Sequence, residues 1–323
     1  VSAAASITSE ACPRCESDGY RTLFRGADRL YRTTNRQFSV VECNACGLLR
    51  LDPFPTEAEL SAFYPEDYWW EENDSAVSKL TETYRRVVLS DHVRFAKAAF
   101  DEDGPLLDIG CGGGCRAAAM ADAGYETFGS DISVKAAAQC HAKVGCPTVC
   151  SQLPKLPFRP GSFRSVTLYH VLEHLHDPVA AVEAVAELLP PGGRLIVQTP
   201  NAACWQLLLL GERWNGLDVP RHLINFRAED LEELLDGCGF DVLRRKYFSL
   251  RDNPAGLATS LFPGLDPVAR KVRGVQESHR TQLFKNLLYF AVTVAATPFT
   301  LLEAAGAAGS TIMIDAVRRG GAR

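Results

Sequence analysis

At 323 residues, with 46% hydrophobic and 23% charged side chains, the chain has the make-up of a folded protein of about two domains. That composition excludes a disordered, collagen-like or coiled-coil chain. Its formal charge of −5, without a long basic run, disfavours binding to nucleic-acid phosphates, so the expected partner is a small molecule.

Val1 to Thr8 carry neither a basic stretch nor an apolar run of signal-peptide length, and the 11 cysteines cannot all pair internally. A reducing cytoplasm is the expected setting. Four cysteines form two knuckles, Cys12-Pro-Arg-Cys15 and Cys43-Asn-Ala-Cys46, with 27 residues between them. Each Cys-x-x-Cys puts two sulfurs on one tight turn, and Gly47 relieves the backbone behind the second, so four thiolates can converge on one structural Zn²⁺. No βαβ unit surrounds either pair, which argues against a redox dithiol. Around the knuckles, RTLFR, FSVVEC and GLLRLDPFP read as short strands. Five arginines fall between Arg21 and Arg36, so RNA docking on this ribbon is kept as an alternative.

A short helix is expected over 55–64, with Thr56 and Glu59 forming a capping box. The polar, aromatic run PEDYWWEENDS then leads into a helix near 76–100, a linker and lid candidate. Beyond Gly104, apolar runs alternate with helical stretches: PLLDIG, a helix from Cys115, YETFGSD, a helix after Ser133, PTVC and FRSVTLYH. The series goes on with a helix from Pro178, RLIVQTP, a helix from Ala228 and DVLRRKYFS. Such alternation implies a parallel sheet covered on both faces. TIMIDAVRR reads as a last strand pairing back on DVLRRKYFS as an edge. The stretch 250–309 is then a helical insertion. Within it, Asn286 to Leu302 is uncharged, too short for a bilayer span and interrupted by Pro298. A buried or interfacial helix pair is expected there, with peripheral membrane contact as the other reading. The domains are read as 1–54, 55–103 and 104–323.

Asp108-Ile109-Gly110-Cys111-Gly112-Gly113-Gly114 places an acid at a strand end and then a glycine-rich turn opening a helix. Bare glycines let a ligand lie against the main chain, and Asp131, at the end of the next strand, can bind both ribose hydroxyls. An NAD site fits less well. Cys115 occupies the third glycine position, and Asp108 puts negative charge where a pyrophosphate would lie. A ligand with an ammonium and no phosphate fits: S-adenosylmethionine, with its ammonium at Asp108, its carboxylate at the turn amides and its ribose at Asp131.

LLDIGCGGG, GSDIS, LPFRPGSF, VTLYHVLEHLHDP, LLPPGGRLIVQTPN and LEELLDGCGFDV, in that order, resemble the class I S-adenosylmethionine-dependent methyltransferases. The resemblance implies an α/β fold with a doubly wound, mostly parallel seven-stranded sheet of Rossmann-like type. It implies that Asp108, Gly110, Cys111, Gly112, Gly114, Asp131 and Ile132 hold the donor, that Gln152 and Leu153 flank its adenine, and that Tyr169, His170 and Glu173 line the mouth toward the acceptor. CGLLRLDPFPTEAELSAFY and VPRHLINF extend the likeness to bacterial methyltransferases with an N-terminal zinc ribbon. Those act on sugar nucleotides, polysaccharides or specialised metabolites, and the likeness carries a base onto His222.

Methyl transfer is an in-line displacement, so near-attack positioning supplies most of the acceleration and a base is optional. His222, His170 and His174 are the candidate bases, in that order. His170-Val-Leu-Glu173-His174 also spells a zinc-peptidase pattern, for which no third ligand is evident in the sequence. Trp69, Trp70, Trp205 and Trp214 are candidate acceptor walls. The expected activity is methylation of a small or sugar-containing acceptor, releasing S-adenosylhomocysteine; the alternatives are an RNA methyltransferase and a donor-binding scaffold without turnover.

Overall fold

A computed structural model of the chain describes residues 11–64, 76–100 and 104–320. The ribbon is built from β1 (Tyr20–Gly26), β2 (Phe38–Cys43) and β3 (Leu49–Asp52), each antiparallel to the next. Phe38 and Val40 on one face of β2 and Val41 and Cys43 on the other are all buried, so this middle strand is covered on both sides. α1 (Glu57–Ala62) starts at the expected capping box: Thr56 Oγ1 accepts from the Glu59 amide, and Glu59 Oε2 accepts from the Thr56 amide. α2 (Ala76–Lys97) follows.

The alternating half then runs β4 (Leu106–Ile109), α3 (Cys115–Asp122), β5 (Thr127–Asp131), α4 (Val134–Val144), β6 (Thr148–Cys150), β7 (Ser165–Tyr169), α5 (Pro178–Leu188) and β8 (Arg194–Pro200). After α6 (Trp205–Leu210) come β9 (Ile224–Asn225), α7 (Ala228–Gly237), β10 (Phe240–Lys246), α8 (Asn253–Leu261), α9 (Pro267–Val272), α10 (His279–Ala305) and β11 (Thr311–Arg318). Seven of the strands form one sheet in the order β10-β11-β8-β7-β4-β5-β6, parallel except for β11. Leu106, Leu107, Val166, Leu168, Leu195 and Val197 are completely buried on its central strands. Sheet and helices therefore form the expected doubly wound α/β architecture.

Three features differ from the sequence expectation. β11 is an inner strand between β8 and β10, and β10 is the edge. The reason is burial: the first six residues of β11 are buried, whereas β10 alternates with solvent. Second, residues 279–305 form one helix that continues through Pro298, not a pair. Proline removes one amide donor, and packing of the helix on α8 together with Glu303 accepting from the Gln206 backbone and side-chain amides (2.9 and 2.8 Å) holds the rest. Only Thr293, Ala296, Thr300 and Glu303 of α10 are buried, and Leu287, Phe290, Leu301 and Leu302 are exposed. Among the described residues it is the one helix long and apolar enough to cross a membrane.

Third, β9 was not foreseen. It pairs antiparallel with β3, and the Leu51 amide donates to the Leu223 carbonyl at 2.8 Å, so the segment just before α7 completes the ribbon sheet as its fourth strand. Two residues have no readable period, and their partner lies far away in the sequence. Leu223 in turn donates its amide to the Glu173 carbonyl at 2.7 Å. Ribbon and large sheet are stitched together at this point.

Candidate active site

The residues expected to hold the donor lie at the carboxyl ends of β4 and β5. Asp108 is 1% exposed; Thr167 Oγ1 donates to its Oδ1 at 2.8 Å, while its Oδ2 has no partner among the described residues. Burial raises its pKa, and the nearby Arg116 guanidinium opposes that shift. Arg116, on the first turn of α3, donates from Nη2 to the Gly110 carbonyl at 3.2 Å and sits 4.9 Å over the Tyr169 ring. Its Nε lies 4.0 Å from Asp108 and is also without a hydrogen-bond partner.

Glycine is required at both ends of the turn. Gly110 has φ +72°, and a Cβ there would meet Val171 Cγ2 at 2.5 Å; Gly114 has φ +78°, and a Cβ would meet the Cys140 backbone at 2.9 Å. Asp131 fastens the turn from the next strand, its Oδ2 accepting from the Gly112 amide at 2.8 Å and its Oδ1 from the Ser133 amide at 2.9 Å. Each oxygen keeps a further lone pair. Burial raises the Asp131 pKa, and the two amides pull it back. Cys111 is buried against Gly129, whereas Ile132 is 62% exposed beside the cleft. Gln152 is exposed and bridged to Lys155, and Leu153 is half-buried behind it, both just after β6. Asp108, the glycine turn and Asp131 thus meet at the carboxyl ends of β4 and β5, with Ile132 exposed beside them and Cys111 packed away into the core. Tyr169 lies behind it: buried, stacked on His92 of α2 with ring centroids 5.0 Å apart, its phenol pKa raised by burial.

A second polar cluster sits beyond β7. His170 takes a left-handed conformation, φ +57°, directly after the strand, and its Nδ1 lies 3.0 Å from Glu173 Oε1. Its Nε2 is 2.7 Å from the Gln198 amide, which donates to Asp252 at 2.8 Å. Burial opposes charge on His170, but Asp252 and Glu173 outweigh it and push its pKa up to about 9. His222 shares Nδ1 with the Gly216 carbonyl at 2.8 Å, and its Nε2 is 4.0 Å from Glu173 and 3.9 Å from Asp218. The His174 ring packs edge-on against His222 at 4.7 Å, its Nδ1 within reach of the Arg221 carbonyl (3.0 Å) and the Tyr64 hydroxyl (2.8 Å). Burial, then the neighbouring His222, pushes the His174 pKa down to about 4.

Arg221 supports this cluster from below. Its side chain is fully buried, and it donates to both oxygens of Asp28 (2.9 and 3.0 Å) and of Asp218 (3.0 and 2.7 Å). Asp28 comes from the ribbon, between β1 and β2, and also accepts from the Tyr31 and Thr33 amides. Arg221 and Tyr64 fell inside the runs VPRHLINF and CGLLRLDPFPTEAELSAFY without a role, and nothing in the sequence pattern marked Asp28 or Asp218. Arg116 had a signal that went unread, a lone cation opening an alanine-rich helix beside the glycine turn.

Phe24, Arg25, Arg29, Trp214 and Asp218 border an open cleft between β1 and the turns preceding His222. Trp214 is therefore a wall of this cleft, whereas Trp205 packs on Phe299 of α10; Trp69 and Trp70 lie outside the described residues. In the ribbon, the sulfurs of Cys12, Cys15, Cys43 and Cys46 all lie within 4.8 Å of one another, with Cys12–Cys46 at 3.6 Å and Cys15–Cys43 at 3.5 Å. Sulfurs in a tetrahedral zinc site stand about 3.8 Å apart, so the four thiolates fit that ion.

Residues 81–245 match the family model described as a methyltransferase domain. The chain is 37% identical over 125 residues to a ubiquinone biosynthesis O-methyltransferase of Paracidovorax citrulli, a match covering 36% of this chain and about half, 52%, of that protein. To the protein of the same name from Chromobacterium violaceum it is 32% identical over 223 residues, 62% of this chain and 93% of that one. Among solved structures, the [4+2]-cyclase SpnF superposes with a TM-score of 0.51 at 19% identity, over 83% of this chain and 98% of the other, a likeness of fold alone. The chain belongs to the S-adenosylmethionine-dependent methyltransferase family.

Proposed function

We propose that this protein transfers the methyl group of S-adenosylmethionine to an oxygen of a small-molecule acceptor. The observation that carries the reading is a pair of buried polar atoms without partners among the described residues, Asp108 Oδ2 and Arg116 Nε, beside a turn whose Gly110 and Gly114 leave no room for a Cβ. A buried acceptor and a buried donor left unpaired are costly, about 1–3 kcal/mol each, unless a ligand satisfies them. An amino-acid zwitterion offers both partners: ammonium to Asp108, carboxylate to Arg116 and the turn amides. Asp131 would take the ribose, and Ile132, Gln152 and Leu153 the adenine. When bound, the sulfonium supplies an electrophilic methyl carbon.

The protein's own part is to hold the acceptor oxygen in line with that carbon and keep water out. His222, at the acceptor side, is the residue assigned to activate the oxygen. His170 has both ring nitrogens engaged and positions Glu173, while Tyr169 closes the back of the donor pocket. One observation favours an acceptor that carries an anionic group, such as a sugar nucleotide. Arg29, on the open cleft, gives its guanidinium to the carbonyls of Arg213 and Ser260 and not to a carboxylate, and Arg25 beside it has no ion pair among the described residues. The four cysteines are assigned a structural Zn²⁺ that fixes the ribbon hairpins, and through them Asp28 and β3.

Calorimetry with S-adenosylmethionine, followed by mass spectrometry of acceptors incubated with labelled donor, tests the reading. Donor binding and a labelled product support it. Binding without product from any acceptor favours a scaffold, and absence of binding overturns the proposal.

A further inference from the structure

The sequence offered His170, Glu173 and His174 as a metal pattern without a third ligand. The fold breaks that pattern and builds another. His170, in its left-handed conformation, has Nδ1 at Glu173 and Nε2 at Gln198, while β9 brings His222 in beside Glu173 and His174, so that one ligand atom from each of these three lies within 4.8 Å of the others. We infer that Glu173, His174 and His222 form a divalent-cation site at the acceptor end of the cleft, separate from the thiolate site of the ribbon.

Two further observations point to an ion. Glu173 is 1% exposed, and its Oε2 has no hydrogen-bond partner among the described residues. In addition, each imidazole has Nδ1 at a backbone carbonyl, that of Gly216 for His222 and that of Arg221 for His174. A carbonyl held at Nδ1 places the proton there and leaves Nε2 as a bare lone pair, the arrangement that orients histidine ligands in metal sites. Asp218 stands 3.9 Å from His222 Nε2 but has both oxygens committed to Arg221, so it supports the site without joining it. Ligand atoms around a bound zinc stand about 3.4 Å apart, so His222 Nε2 and Glu173, now 4.0 Å apart, would close in on the ion.

Two imidazoles and one carboxylate select a borderline cation such as Zn²⁺, Fe²⁺, Co²⁺ or Ni²⁺ over Mg²⁺ or Ca²⁺. Three protein ligands leave a coordination position open. The oxygen that would fill it is the acceptor's, a point that rests on the methyl-transfer reading; the ion site itself does not. His222 then activates the acceptor by holding the cation, not by taking a proton.

The test uses the purified full chain and Co²⁺ alone. Metal already present plus cobalt taken up should total two ions per chain, and X-ray absorption at the cobalt edge should show a nitrogen and oxygen site with two imidazoles. Glu173→Gln and His222→Ala should each bind one ion, in the thiolate site, whose sulfur-to-cobalt bands also report that the ribbon has folded. Cobalt seen only on sulfur or water in the wild-type chain overturns the inference, whatever the variants do. Titrating the same sample with S-adenosylmethionine separates the two readings: two ions without donor binding would refute methyl transfer and leave the metal site standing.

Discussion

The proposed donor and acceptor sides are assembled in opposite ways. Asp108, the glycine turn, Arg116 and Asp131 follow one another along a single strand-turn-helix-strand segment. The acceptor side collects Asp28 from the ribbon, Tyr64 from the end of the ribbon region, Glu173 and His174 after β7, and Asp218 to His222 before β9. The first is local geometry at a sheet edge. The second exists only because a ribbon carboxylate reaches a buried arginine and a two-residue strand crosses between the sheets. Donor recognition should therefore tolerate damage to the ribbon contacts far better than acceptor chemistry does.

The largest effect is expected from Cys43→Ser. Structural zinc sites contribute on the order of 10–16 kcal/mol of apparent binding energy, so the variant should lose the ribbon's ion and melt at lower temperature. Unchanged metal content and melting would remove zinc from the ribbon. Next comes Asp28→Ala, which leaves a fully buried Arg221 with one carboxylate in place of two. Breaking a buried pair in this way costs about 3–5 kcal/mol, readable by urea unfolding.

The same contact gives an acid signature. Burial works against the Asp28 carboxylate, but Arg221 outweighs it and holds the pKa at about 2, below the ordinary 3.8. The sign is that of a depressed carboxylate: the contribution is complete above the ordinary value and is lost as pH falls from about 4 to about 2. In Asp28→Asn, stability should fall less over that window than in the parent, and equal slopes would contradict the pairing.

His222→Ala should lower turnover by about 10²-fold or more while donor affinity stays at the parent value. A parallel loss of donor binding would merge the two sides that are here kept apart. Asp131→Ala should weaken donor binding by about 1–3 kcal/mol in calorimetry, the loss of a charged hydrogen-bond partner. Unchanged affinity would take Asp131 out of the site.

This contrast also explains what the sequence revealed. Alternating apolar runs predicted the strands β4 to β8, and Thr56 with Glu59 predicted the start of α1, because period and capping act within a few residues. The glycine turn and its flanking aspartates were legible for the same reason. β9 was not, since its hydrogen bonds go to β3 across a long loop. Arg221 carried no role in the sequence because Asp28, one of the two aspartates that enclose it, lies 193 residues away, and Pro298 looked like a helix break because the contacts that hold α10 are tertiary. Which strand becomes the edge, β10 or β11, likewise depends on what covers the sheet.

The most direct test of the central claim is a crystal of this chain soaked with S-adenosylmethionine. The account predicts the nucleoside at the carboxyl ends of β4 and β5, its amino-acid end between Asp108 and Arg116 and its ribose on Asp131. An empty cleft at saturating donor, or a ligand bound elsewhere, would contradict it.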